Sequence, residues 1–341
     1  MKHETMTTGL QESDIRPAPL MTEFMRLSSI DAHIYFKAPE RLVEVPCPAC
    51  GSERREGAFR KNEFLYCSCL ECNSLFVSPR PTREALVDYY ENSSASRYRV
   101  EHFARETAKE RRKHMLNSYA MWLGRMVDEV GNPAARAYAD VHTQSPQIFD
   151  AVRELGLFDT LYSLYPLNTL EPDCAKAGAE VARGDLSGLG TVSMLGQLEN
   201  RGNPLDYLIW IRGLMADRGV LTISTRTVSG FDMQVLWDKA PYVFVPEHLN
   251  LLSVEGLTIL IARAGFELVE LSTPGQLDLE FVHNTTAYDP AVELPRHIKY
   301  LLEHRGPEAH ADFQEFLQKH RLSSHVRIAA VNAATPQEGG R

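Results

Sequence analysis

Two pairs of cysteines carry the clearest chemistry in the sequence. Cys47-Pro-Ala-Cys50 and Cys69-Leu-Glu-Cys72 are C-x-x-C pairs with 18 residues between them. A two-residue gap lets both thiolates of a tight turn face one ion at ~2.3 Å, and tetrahedral Zn²⁺ takes four such ligands. The spacing predicts a zinc ribbon held by Cys47, Cys50, Cys69 and Cys72. Cys67 stands two residues before Cys69 and could replace it, so the third ligand stays open between the two. Otherwise Cys67 and Cys174 read as free thiols. A four-cysteine site is coordinatively closed, so its metal holds structure and does no chemistry. Five of the six cysteines fall within 26 residues. That clustering suits a metal site in a reducing cytoplasm better than a disulfide framework.

The chain that must position these groups has 341 residues, with 36 Lys plus Arg against 45 Asp plus Glu and a net charge of −9. Apolar residues are 44% and charged residues 24%, which excludes a largely disordered or fibrous chain. The acidic balance argues against a nucleic-acid binder. No apolar run reaches the ~18 residues of a membrane span. Met1 to Pro19 lacks the apolar core of a signal peptide. A cytoplasmic protein is expected.

Four segments are expected. Residues 1–40 form an N-terminal tail with one short helix near 21–27, and 41–96 a zinc-ribbon module that caps the substrate side. Residues 97–130 form a connecting helix, marked by Met115, Tyr119, Trp122 and Met126 at helical spacing. Residues 131–335 form an α/β domain. The approach to the connecting helix is basic, with Arg97, Arg99, Arg105, Lys109, Arg111, Arg112 and Lys113. Glu101, Glu106 and Glu110 interleave, so a solvated face is expected; a patch for an anionic ligand is the alternative.

After Pro133 short strands and helices alternate. Strands are expected at 136–141, 160–164, 191–195, 220–225, 267–271 and 325–331. Asn203-Pro204 opens a helix to about Ala216, and Ser253 caps one that stops at Gly265. Helices follow at about 294–304 and 307–319. The alternation argues a parallel, doubly wound sheet. Beyond the Gly339-Gly340 tail no low-complexity segment is seen.

Several stretches resemble one family. The cysteine pairs, then Val77-Ser-Pro-Arg-Pro-Thr82 and Tyr89-Tyr90, resemble the N-terminal module of zinc-containing methyltransferases from sugar biosynthesis clusters. Val245-Pro-Glu-His-Leu-Asn250 with Leu251, Leu252 and Ser253 is similar to the same family. So are Ser229-Gly-Phe-Asp232, Ala264-Gly-Phe266, Thr273-Pro-Gly275, Leu277-Asp278 and Arg321-Leu-Ser-Ser-His325. The resemblance spans about residues 45–332. It implies a class I S-adenosylmethionine-dependent methyltransferase fold, a Rossmann-like sheet that is mostly parallel with its last strand, here 325–331, antiparallel. It implies that Glu247 and His248 work on substrate, the histidine as a base, and that Tyr89, Tyr90 and Asn250 lie on the substrate side. A histidine of pKa ~6.5 can take a proton alpha to a ketone. The alternatives are that His248 pins its loop by bonding a backbone carbonyl, and that the two tyrosines are core aromatics.

The departures from the family pattern are concentrated at the cofactor. The Asp-Val-Gly-Cys-Gly-x-Gly turn after the first strand is Asp140-Val141-His142-Thr143-Gln144-Ser145-Pro146 here. Glycine belongs there because the backbone needs special φ values and a close approach to the cofactor. Tyr165 stands where the second strand should end in a ribose-binding acid. Gly196-Gln-Leu-Glu199-Asn200 replaces Asp-x-x-Glu-His. Asp140, His142, Gln144, Tyr165 and Glu199 therefore mark a degenerate cofactor site. Each lost contact is worth ~1–3 kcal/mol, so three losses plus steric fill weaken binding by several orders of magnitude at ~1.4 kcal/mol per tenfold. The substitutions argue against productive S-adenosylmethionine binding. The expected function is a non-catalytic or partner-dependent methyltransferase-fold protein, with an active relative, a second copy, or a sugar nucleotide or other small molecule as partner. The alternatives are an active methyltransferase on such a molecule with an atypical loop, and an epimerase-like use of His248.

Overall fold

The computed structural model describes residues 9–184 and 186–333. Ala18–Phe36 is a nineteen-residue helix, α1, where the sequence suggested a tail. Its inner face includes Ser28 and Asp31 beside Met21, Phe24, Ala32 and Phe36, so its apolar periodicity is broken. Asp31 is buried because it accepts the backbone N–H of Ala95 at 2.7 Å. The polar starts and ends of the chain read above, Met1–Thr8 and the Gly339-Gly340 tail, lie outside the described residues.

The cysteine-rich module is a small antiparallel sheet of β1 (Arg55–Lys61), β2 (Phe64–Cys69) and β3 (Leu75–Val77). The two-residue strand Asn250–Leu251 joins β3 from the other half of the chain. Helix α2 (Arg83–Asn92) follows, capped by Thr82, which accepts from the Ala85 N–H. After α2 a new helix begins at Ser94 and runs, through wide π-turns at Arg99–Ala104 and Arg112–Leu116, into α3 (Asn117–Val130).

The main sheet comprises β4 (Ala137–Val141), β5 (Thr160–Leu164), β6 (Glu180–Ala182), β7 (Leu189–Leu195), β8 (Met215–Arg226), β9 (Phe266–Ser272) and β10 (His325–Asn332). Their order is β9-β10-β8-β7-β4-β5-β6. β10 runs antiparallel to both neighbours, and the pairings between β8 and β6 are parallel. This is a mixed α/β, mostly parallel Rossmann-like sheet with its last strand reversed. Its strands are long apolar runs because helices cover both faces. α4 (Gln147–Arg153) follows β4, α5 (Pro204–Leu214) follows β7, and α6 (Val254–Arg263) precedes β9. Asn203 and Ser253 cap α5 and α6 as expected. α5 stops at Leu214, short of Ala216, because β8 already begins at Met215 and carries the Asp217–Gly219 turn as an irregularity in its register. α7 (Asp278–Tyr288) was not anticipated.

The ribbon is fastened to the sheet domain. Arg80, 1% exposed, donates to the carbonyls of Val77 and Gly202 and to Asn250 Oδ1, each at 3.0 Å. Asn250 in turn donates to the carbonyls of Leu198 and Arg201.

Candidate functional site

The sulfurs of Cys47, Cys50, Cys69 and Cys72 all lie within 4.8 Å of one another. Cys47 and Cys72 are 3.6 Å apart, and Cys50 and Cys69 3.5 Å, close to the edge of a tetrahedron with ~2.3 Å bonds. The donor set is compatible with zinc. Cys67 is not part of it: its sulfur faces the Ser78 carbonyl at 3.7 Å. Alternation alone would put residues two apart on one face, but Cys69 is the last residue of β2, where the chain leaves the strand for the turn to Cys72. Cys174 is a buried thiol beside Ser163.

The carboxyl ends of the parallel strands meet where β4 and β7 part, the place where open α/β sheets bind ligands. His142 follows β4 with φ +49°, and Tyr165 follows β5 with φ +48°. Both hold the left-handed backbone that favours glycine. The His142 Nδ1–H donates to the Tyr165 carbonyl at 2.8 Å. The His142 ring stacks on Tyr207 of α5, with centroids 5.6 Å apart and planes 24° apart. Tyr207 and Tyr165 both abut Trp210, at 5.3 and 5.8 Å. Four rings thus close over the ends of β4 and β5. Burial and the nearby Arg201 push the His142 imidazole down to about 3, so it is neutral. Asp140, 2% exposed, accepts from Ser193 Oγ at 2.5 Å, and burial pushes its carboxyl up to about 7.

On the other side of the strand ends lies a cavity of about 330 Å³. The strand ends and the turns after them supply Asp140, Gln144, Leu167, Gly196, Glu199 and Arg226 to its wall; the helical N-terminal region, the 242–248 loop and the 274–281 and 324–327 segments supply most of the rest. Gln144 and Glu247 both accept hydrogen bonds from Arg99. Glu247 therefore orients Arg99 and makes no recorded bond to His248. His248 lines the cavity with its Nδ1 buried and unpartnered. Burial, followed by the charges of Arg226, Arg16, Arg99 and Lys61, holds its pKa well below the ordinary value. The loop is pinned instead by Tyr66, whose hydroxyl donates to the His248 carbonyl at 3.0 Å. Glu199 accepts the Arg226 N–H through Oε1 at 3.0 Å.

The three expected substrate contacts separate. Tyr90 lines the cavity. Tyr89 is 1% exposed and packs on Phe36 and Tyr35, a core aromatic. Asn250 is the staple already described. The basic approach to α3 is not simply a solvated face either, since Arg99 and Arg111 both line the cavity. A π-turn adds a residue to the helical repeat, so faces read at a period of 3.6 shift past Arg99–Ala104. Sequence reasoning missed Arg16, Arg226, Tyr207 and Trp210. A bulky ring at a glycine position was the available signal for the last two, because such a ring needs partners.

No family model matches the chain, and neither does any curated protein. Solved structures resemble it. The geranyl diphosphate C-methyltransferase from Streptomyces coelicolor A3(2) is 9% identical, with 68% of this chain and 85% of that one covered and a TM-score of 0.45. The cyclopropane synthase MmaA2 from Mycobacterium tuberculosis is 12% identical, with 64% and 85% covered and a TM-score of 0.39. The fold assignment stands on the strand order. Among the described residues no helix is long and apolar enough to cross a membrane.

Proposed function

We propose that this chain is a methyltransferase-fold protein that does not use S-adenosylmethionine and acts as a non-catalytic binding or regulatory subunit. The observation that carries this reading is the stack of His142, Tyr165, Tyr207 and Trp210 over the ends of β4 and β5. In this fold a nucleoside lies against those strand ends, with its ribose held by an acid after the second strand. Here His142 and its ring partners stand beside those strand ends, where the family carries glycine, and a phenol stands in place of the acid. Pro146 also withdraws a backbone donor at the start of α4. The residues present do not fit the cofactor.

Titration calorimetry with S-adenosylmethionine tests the reading. No heat is expected up to millimolar cofactor. Micromolar binding would overturn it and favour a working methyltransferase on a sugar nucleotide or another small molecule. One observation favours that second reading: the cavity runs from Asp140 and Gly196 to His248, the path from a methyl donor to a substrate base. A subunit role further predicts a defined complex, with a methyltransferase relative or a second copy, by size-exclusion light scattering.

A further inference from the structure

The cavity walls hold more positive charge than their acids neutralise. Arg99 is matched by Glu247, and Arg226 by Asp232 at 2.5 Å. Arg16 and Arg111 have no carboxylate partner among the described residues. Arg16 lies over the rings of Tyr242 and Phe281, at 4.4 and 4.7 Å, and its Nη1 is buried without a hydrogen bond. Arg111 donates to Thr107 Oγ1 at 3.0 Å and reaches toward the Ile15 carbonyl at 3.4 Å, next to Arg16. The nearby acids are engaged elsewhere. Glu12 accepts from the Tyr242 hydroxyl and from Asn284. Asp278 accepts from Ser323, Gln314 and the Ser324 N–H.

Burial lowers both guanidiniums, Arg16 to about 10 with Arg226 adding to it, and Arg111 to about 9 with Arg99 and then Arg16 adding to it. Both remain charged at neutral pH. An uncompensated buried charge is costly, and a methionine would line an apolar wall more favourably. Apolar side chains, Met21, Phe24, Phe103 and Phe281, share the wall with polar ones such as Gln144, Ser145 and Ser324.

We propose that this cavity binds a small amphipathic anion, with its carboxylate or phosphate head between Arg16 and Arg111 and its apolar body against Met21, Phe24 and Phe103. A planar guanidinium pair matches such a head by bidentate hydrogen bonds. The volume of about 330 Å³ sits at the lower end of the range for small-molecule pockets. The proposal rests on the binding role inferred above for its purpose, though not for its geometry.

The test is calorimetric titration of the full chain with octanoate, octyl phosphate and octanol, with melting curves of the Arg16→Met and Arg111→Met variants. The acid or the phosphate should bind one per chain, at least tenfold more tightly than the alcohol. Whichever of the two binds identifies the head group. Either variant should lose at least tenfold in anion affinity while melting higher than the parent in the absence of ligand. Equal binding of anion and alcohol would overturn the proposal, as would no saturable binding of either anion. Variants that melt lower and bind unchanged would do the same, because they would make the arginines structural. If S-adenosylmethionine binds while octanoate still saturates, the non-methylating reading fails and this one stands.

Discussion

Replacing Asp140 with asparagine should stabilise the protein at alkaline pH and do progressively less as the pH falls. Asp140 is buried at the end of β4 with only neutral partners, Ser193 at 2.5 Å and the Thr143 segment. Burial raises its carboxyl to about 7, against ~3.9 in an unfolded chain. The folded state therefore binds a proton more tightly than the unfolded one, and its stability falls as the pH rises from about 4 to about 7. At ~1.4 kcal/mol per pH unit, the full effect is about 4 kcal/mol, of which about 3 kcal/mol accrues above pH 5. Asparagine keeps the acceptor for Ser193 and does not titrate. Urea unfolding of parent and Asp140→Asn at pH 5 and pH 8 reads the difference directly. The variant should gain about 3 kcal/mol on the parent between the two conditions. Asp278, raised to about 6, has the same sign in both proteins and cancels. If the two stability profiles run parallel, the carboxyl is not buried as described and the reasoning fails.

Purified protein should carry one zinc per chain by elemental analysis. Cys72→Ser or chelation should remove the metal and lower the melting temperature sharply, since ribbon folding and metal binding are one event. Loss of the ribbon should reach α6, because Arg263 holds the Ala49 carbonyl at 2.6 Å and Ser253 the Cys72 carbonyl. Gly256→Ala should cost about 1–3 kcal/mol by overpacking, because a Cβ there would meet Ser74 Oγ at 2.1 Å; a neutral urea midpoint would contradict the packing. Arg80→Met should cost at least about 2–3 kcal/mol by stranding buried acceptors in Val77, Gly202 and Asn250, read in the same denaturation assay.

The ribbon and the sheet were legible because their signals are local. Cysteine spacing sets the metal geometry, and the caps at Asn203 and Ser253 stand at the element starts that the sequence marks. Asp140 and His142 were placed by their resemblance to a glycine-rich turn after the first strand, and β4 ends at Val141. Two kinds of feature were hidden. α1 has polar residues on its buried face, and Asp31 is explained only by Ala95, 64 positions away. The arginines at the cavity come from distant parts of the chain, Arg16 and Arg226, or from either side of a π-turn that rotates the helix face: Arg99 opens it and Arg111 lies beyond it. No window of sequence contains that grouping.

The two halves of the crevice support one another. The rings at His142, Tyr165, Tyr207 and Trp210 flank the ends of β4 and β5. The chamber beside them has Arg16, Arg99, Arg111 and Arg226 in its wall, so its distinguishing chemistry is cationic. His248 sits within that field, and each arginine facing it disfavours its protonated form. A bound anion would offset those charges and raise the imidazole toward its ordinary value. The same event that relieves Arg16 would thus lift part of the lowering at His248, the part that burial does not cause. NMR titration of His248 with and without octanoate measures this coupling. An upward shift on binding is expected, and an unchanged value would place the anion outside the chamber.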